Sequence, residues 1–236
     1  MPSSSRSCCL AATCMWPTTS DLDPAGLRHS LASAPLLAVL RPSGPPQAER
    51  QIEAVACLGF RHVELAWSGE PWWAPFVVSA QAQWPQLRFG AAGIKHPDQI
   101  VGLPALGLGF AMAPIATEAL LLAARRQGLT LVPGVFSPSE VHHFGVSLAA
   151  GGGGLVKLYP AAILGPAYWR LLRGPLQPLP FCIAAGGLAP RDVGPWLEAG
   201  VQAVALGSSL FDRHDVIAAS DASMLESFVI GTTHLN

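Results

Sequence analysis

Lys157 sits inside an apolar run, Leu155–Val156–Lys157–Leu158–Tyr159–Pro160, where a charge kept only for solvation would be out of place. The chain has twelve arginines and two lysines, Lys95 and Lys157. A GC-rich genome would also produce that ratio, so the position of Lys157 is what matters. A lysine in the middle of a strand that lines a barrel points either into the mouth or against the surrounding helices. Packed inside, its ammonium form is disfavoured by desolvation, which lowers its pKa and frees the amine as a nucleophile. The other reading is a lysine whose head reaches solvent at the strand end, and strand context alone leaves both open.

Glu64 has the same oddity within His62–Val63–Glu64–Leu65–Ala66–Trp67. A carboxylate in an apolar strand is rarely left unpaired. An amine and a carboxyl converging in a partly dry cavity are what imine chemistry needs, one adding to a carbonyl and the other moving protons. A structural ion pair with Arg61 or Arg41 would account for Glu64 as well.

Glycines gather late in the chain, in Ala185–Gly186–Gly187–Leu188 and Leu206–Gly207–Ser208–Ser209. Each follows a predicted strand. In barrels, the loops after the last two strands often form a phosphate cup of backbone N–H groups. One glycine turn is usually only a turn, whereas two in these places are moderately specific. Other features read blandly. Gly151–Gly154 is a loose turn, His142 and His143 lie on a helix surface, and Trp72–Trp73 caps a helix or borders the mouth. No metal-ligand cluster stands out, and no cofactor motif does.

These groups are carried on a regular alternation. Strands are predicted at Leu36–Leu40, His62–Trp67, Arg88–Ile94, Gly109–Pro114, Thr130–Val135, Leu155–Pro160, Phe181–Ala185 and Ala203–Leu206. Helices fall between them at Pro46–Leu58, Trp72–Gln83, Pro97–Leu106, Thr117–Gln127, Pro138–Ala149, Pro166–Leu172 and Pro190–Ala199. Several begin with a proline, whose missing N–H costs nothing in the first turn. Many end in a glycine suited to a left-handed cap, at Gly59, Gly107, Gly128, Gly151 and Gly200. Eight such units predict an α/β fold, a single-domain (β/α)8 TIM barrel over residues 31–236, although periodicity alone also permits a doubly wound open sheet. In the barrel, the second and sixth strands face one another, which would bring Glu64 and Lys157 together. Residues 1–30, rich in Ser, Thr and Pro, read as a loosely ordered extension within which Met15 could be the true start. Residues 212–236 should hold a last helix on a poor signal.

At 236 residues, half of them hydrophobic and 12% charged, the chain has ample material for one core. Its formal net charge of −1 argues against a nucleic-acid partner. Gly102 to Ala124 holds one charge, but Pro104 and Pro114 interrupt it, so no membrane span is expected. Cys8, Cys9 and Cys14 lack zinc-site spacing, and Cys57 and Cys182 read as small core residues. An odd cysteine count, with only a weak export-like patch at Ser7–Trp16, points to a reducing cytoplasm.

Taken together, Val39–Leu40–Arg41, Val63–Glu64, Gly90–Ala91–Ala92, Ala113–Pro114, Val132–Pro133–Gly134, Val156–Lys157–Leu158–Tyr159–Pro160–Ala161, Gly186–Gly187 and Gly207–Ser208 resemble the class I 2-keto-3-deoxy-6-phosphogluconate aldolase family, with its 6-phosphogalactonate and 4-hydroxy-2-oxoglutarate branches. The likeness runs from about Pro35 to Phe211, and Gly165–Pro166–Ala167–Tyr168 looks most like the 6-phosphogalactonate branch. It implies that Lys157 forms a Schiff base and that Glu64 is the acid/base, acting through a water. It further implies a phosphate held by the amides of Gly186, Gly187, Gly207 and Ser208 with Arg41 nearby. Pro114, Gly93 and Ser68 complete the implied substrate-binding positions. The ligand would be a phosphorylated 2-keto acid split to pyruvate and glyceraldehyde 3-phosphate, in a homotrimer needing no metal or other cofactor.

Two positions depart from the family pattern. Gly93 stands where the family commonly has a Thr that helps hold the substrate carboxylate, and Ser68 stands where one branch has Arg. A lost hydrogen bond to a charged group is worth about 1.5–3 kcal/mol. A degenerate barrel that binds a phosphorylated ligand without turnover, or an isomerase or synthase using Glu64 without an imine, would also fit.

Overall fold

The protein is described here from a computed structural model covering residues 24–147 and 154–229. The strands are β1 (Leu36–Leu40), β2 (His62–Ala66), β3 (Arg88–Ala92), β4 (Phe110–Met112), β5 (Thr130–Val132), β6 (Gly134–Val135), β7 (Leu155–Leu158), β8 (Phe181–Ala185) and β9 (Ala203–Leu206). Every pairing between them is parallel. The order β5-β4-β3-β2-β1-β9-β8-β7-β6 follows the chain round without reversal, which a doubly wound sheet could not do. Only Pro133 separates β5 from β6. The predicted fifth strand is therefore a single staff broken at a residue with no N–H for the ladder. Its carbonyl still accepts from Lys157 N at 2.9 Å. The nine segments fill eight positions of a nearly closed barrel, and the predicted (β/α)8 fold stands.

Strand alternation sorts the side chains into two shells. Leu36, Ala38 and Leu40 of β1, with Val63 and Leu65 of β2, face the helices. Leu37, Phe110, Met112, Val132, Leu155 and Ile183 fill the interior. Glu64 and Lys157 have the interior parity. Gly90, paired with Glu64 in the ladder, makes room there, because a Cβ on it would stand 2.4 Å from the Phe110 ring.

The outer helices follow local rules. α1 spans Pro24–Ser33 and α2 spans Pro45–Leu58. α2 buries Ala48, Gln51, Ile52 and Val55 on one stripe and ends at left-handed Gly59. α3 (Trp73–Gln83) is pinned to the end of β2 by Trp73 Nε1, which donates to Ala66 O at 2.8 Å. α4 (Glu118–Gln127) is capped by Thr117, whose Oγ1 accepts from Leu120 N at 3.2 Å. α5 (Pro138–His142) starts from a Ser137–Glu140 capping box. α6 (Ala161–Leu164), α7 (Pro166–Leu172), α8 (Val193–Glu198) and α9 (Ala219–Val229) complete the set.

Several expectations are corrected. The helix predicted over Pro97–Leu106 is two separate 3-10 turns, Pro97–Ile100 and Pro104–Leu106. Gly102 between them takes φ 85°, and Pro104 cannot continue a helical ladder. The segment predicted over Pro138–Ala149 is α5 followed by a wide π turn, His143–Ser147, and residues 148–149 lie outside the described residues. Cys57 is exposed rather than a core residue, whereas Cys182 is buried. His142 is exposed, and His143 meets Glu118 Oε1 at 3.3 Å. Residues 1–23 of the expected extension, with Cys8, Cys9, Cys14 and the patch Ser7–Trp16, lie outside the described residues, as do 151–153 of the glycine turn.

Residues 24–30, read in the sequence as part of the loose extension, belong to α1. This helix covers the N-terminal end of the barrel, its Leu27 and Leu31 joining the interior cluster. Arg88 Nη1 donates to Gly26 O at 3.0 Å, and Ser30 Oγ meets Nε2 of buried His62 at 2.7 Å. The apolar stretch from Gly102 resolves into the second 3-10 turn, β4 and the first turns of α4. No helix among the described residues is long and apolar enough to cross a membrane.

Candidate active site

With α1 covering one end, the barrel opens at the C-terminal ends of its strands into a cavity of about 480 Å³. That is the end at which barrel enzymes carry their sites. Lys157, Glu64 and Arg41 line it together with Gly93, Pro114 and the turns Gly186–Gly187 and Gly207–Ser208. Of the predicted site residues, only Ser68 is not brought there. Its Oγ instead accepts from Glu70 N at 3.1 Å, closing a local turn. Trp72 and Trp73 also lie outside the lining.

Glu64 on β2 and Lys157 on β7 come from opposite sides of the ring. Glu64 is 1% and Lys157 7% exposed. No ion pair forms at either among the described residues, so the pairing of Glu64 with Arg61 or Arg41 is not realised. Glu64 Oε1 is buried without a hydrogen-bond partner among the described residues, an arrangement that costs less when the carboxyl is neutral than when it is ionised. Burial pushes the Glu64 carboxyl well up from the ordinary carboxylate range, against the pull of Lys157 and Arg41. Burial likewise brings the Lys157 ammonium down, with Glu64 opposing and Arg41 adding to the fall. Both shifts favour a neutral amine beside a neutral acid, a nucleophile facing a proton donor.

The glycine turns build the other side of the mouth. Gly186 takes φ 94°, and a Cβ there would stand 2.7 Å from the Tyr159 ring, so the position demands glycine on both counts. Ser209 Oγ donates to Leu188 O, tying the loop after β9 to the loop after β8. The Arg41 guanidinium reaches the same side, Nη1 lying 3.4 Å from where a Gly207 Cβ would be.

Sequence reasoning did not single out Tyr159, Lys95 or Ser209 as lining residues. Tyr159 was findable, because it stands two residues past Lys157 on the same strand face, and Lys157 Nζ lies 5.3 Å from its ring centroid. Among the described residues, no group of three or more His, Cys, Asp or Glu could hold a metal.

Fold and cavity together define an α/β barrel of the enzyme type, with a buried amine and a buried acid lining its mouth. More narrowly, the chain belongs to the KDPG and KHG aldolase family, matching "Aldolase: KDPG and KHG aldolase" over residues 27–227, which makes it an aldehyde-lyase. It is 28% identical over 177 residues to 2-dehydro-3-deoxy-6-phosphogalactonate aldolase of Escherichia coli, covering 75% of this chain and 84% of that one. It is 30% identical over 203 residues to 2-dehydro-3-deoxy-phosphogluconate aldolase of Dickeya dadantii, covering 80% and 91%. A solved native KDPGal structure superposes with a TM-score of 0.68 at 25% identity, over 84% of this chain and 93% of that one. KDPG aldolase from Legionella pneumophila, solved with pyruvate captured as a covalent carbinolamine, has the same fold, with a TM-score of 0.67 at 22% identity over 89% and 98%.

Proposed function

We propose that this protein is a class I aldolase that cleaves a 2-keto-3-deoxy-6-phospho sugar acid to pyruvate and glyceraldehyde 3-phosphate. The observation that carries the reading is a nearly buried Lys157 sharing one cavity with a buried Glu64 and two glycine turns. Lys157 Nζ adds to the C2 carbonyl and water leaves, giving an iminium. The C4 hydroxyl gives up its proton, to Glu64 through a water, as the C3–C4 bond breaks and its electron pair moves into the iminium. The phosphorylated aldehyde departs. Glu64 returns a proton to C3 of the enamine, and hydrolysis of the imine frees pyruvate and Lys157. The amides of Gly186, Gly187, Gly207 and Ser208 would hold the phosphate with Arg41, while Gly93 and Pro114 border the reacting carbons. Ser68 is not part of this scheme.

Within the family the reading favours the 6-phosphogalactonate series. Relatives from E. coli and Rhizobium meliloti carry that name, and Gly165–Pro166–Ala167–Tyr168 points the same way. A homotrimer acting in a reducing cytoplasm accompanies the proposal on the family likeness. The covalent pyruvate carbinolamine of the Legionella relative supports an imine route here.

Borohydride reduction in the presence of pyruvate tests the reading. A mass adduct on Lys157 is expected, together with pyruvate release from phosphorylated keto-deoxy sugar acids that disappears in Lys157→Ala. Absence of the adduct removes the imine step. Turnover retained without Lys157 favours an isomerase or synthase, and an adduct without cleavage favours a binding barrel.

A further inference from the structure

We infer that Lys95 is the specificity residue that receives the carboxylate of the 2-keto acid, an inference that rests on the imine reading of Lys157. Such a substrate carries two anionic ends, a phosphate and a carboxylate, and the carboxylate is bonded directly to the carbon that Lys157 attacks. In a partly dry cavity each end requires its own partner.

Among the described residues, three cationic side chains line the cavity: Arg41, Lys95 and Lys157. Lys157 is consumed by the covalent bond. Arg41 lies against Gly207 on the side of the glycine turns. Lys95 remains, and its place in the ring is opposite. It follows β3, which stands across the barrel from β8 and therefore from the Gly186–Gly187 turn. A molecule with its phosphate at the glycine turns and C2 at Lys157 directs its carboxylate toward the β3 side.

The local structure suits that role. Lys95 N donates to Gln99 Oε1 at 2.6 Å and His96 N donates to the same oxygen at 3.0 Å. Buried Gln99 thus anchors the backbone of Lys95 at the rim while its side chain stays exposed. No acidic group pairs with Lys95 among the described residues. Two residues before it, a Cβ built on Gly93 meets nothing within 4 Å, so the cavity wall is open at that position. The chain's two lysines both face this one cavity, while Arg41 alone of the eleven described arginines joins the lining.

The test compares the intact protein with Lys95→Met and Lys95→Arg. Pyruvate affinity is read by calorimetry, and the pyruvate concentration giving half-maximal borohydride adduct is read in parallel. Acetone, a methyl ketone without the carboxylate, serves as the control for adduct formation, and the KM of glyceraldehyde 3-phosphate is measured in the synthetic direction. Lys95→Met is expected to weaken pyruvate roughly tenfold, the lower range for a hydrogen bond to a charged group. Acetone trapping and the KM for glyceraldehyde 3-phosphate should stay within about twofold, and Lys95→Arg should recover most of the loss. Unchanged pyruvate affinity, an equal loss with acetone, or a rise only in the KM for the phosphorylated aldehyde overturns the inference. Absence of a pyruvate adduct in the unmodified protein defeats the imine reading instead, and the calorimetric comparison still decides the role of Lys95.

Discussion

Lys157 and Glu64 stand on opposite walls of one cavity, electrostatically coupled yet joined by no ion pair. Two ionisable groups buried without a close partner are poor for stability, because each must either lose the water around its charge or give up that charge to stay inside. Replacing Lys157 with Met, of similar shape and no charge, removes that penalty. Lys157→Met is expected to raise the thermal midpoint by about 2–4 °C, the effect of about 1 kcal/mol in a domain of this size. It should abolish the pyruvate adduct at the same time. A fall in the midpoint would mean that the ammonium is a net stabiliser.

Glu64→Gln keeps the shape and removes the acid. Exchange of pyruvate methyl protons with deuterated water should fall about a hundredfold, the lower end for loss of a positioned acid/base group. The carboxylate also raises the Lys157 pKa, so its removal should move the pH midpoint of adduct formation downward. NMR exchange and mass spectrometry at several pH values check the two effects separately.

His62 predicts the acid limb of stability. Burial first, and the positive charge of Arg88 second, bring its pKa from 6.5 down to about 3. Above pH 6.5 it is neutral in both folded and unfolded chains and contributes no slope. As the pH falls below 6.5, the unfolded chain takes up a proton that the folded one refuses. Stability then declines by about 1.4 kcal/mol per pH unit until about pH 3, where the folded state is protonated too. His62→Gln should flatten the decline of the urea midpoint between pH 6 and 4. An unchanged slope would assign acid sensitivity to other groups.

Much of this was legible in the sequence because strand-borne polar residues violate the apolar pattern. Lys157 and Glu64 stand out for that reason, and their meeting in one cavity follows from the number of strands around the ring. The end of the chain was less legible. α9 forms where the signal was poor, held by Leu225, which is fully buried. α1 went unseen because its pattern marks no clear face, and only the barrel floor explains Leu27 and Leu31. The sequence does not place Lys95, since it lies past the end of a strand where no periodicity says which way a side chain turns. The break at Gly102 and Pro104 shows the same limit, a helical pattern overridden by two backbone-specific residues.

Arg41 gives the sharpest sign test. Its guanidinium lowers the pKa of Glu64 and of Lys157 alike, because a positive charge disfavours the protonated form of either group. Arg41→Gln removes that charge, so both pKa values should rise. The pH profile of pyruvate adduct formation should then move as a whole to higher pH, opposite to the shift expected for Glu64→Gln. Pyruvate carries no phosphate, so the profile is free of any effect on the glycine turns, whereas the KM for a phosphorylated aldehyde should also rise. A profile that stays in place or moves to lower pH would mean that Arg41 acts only at the phosphate end and not on the reacting pair.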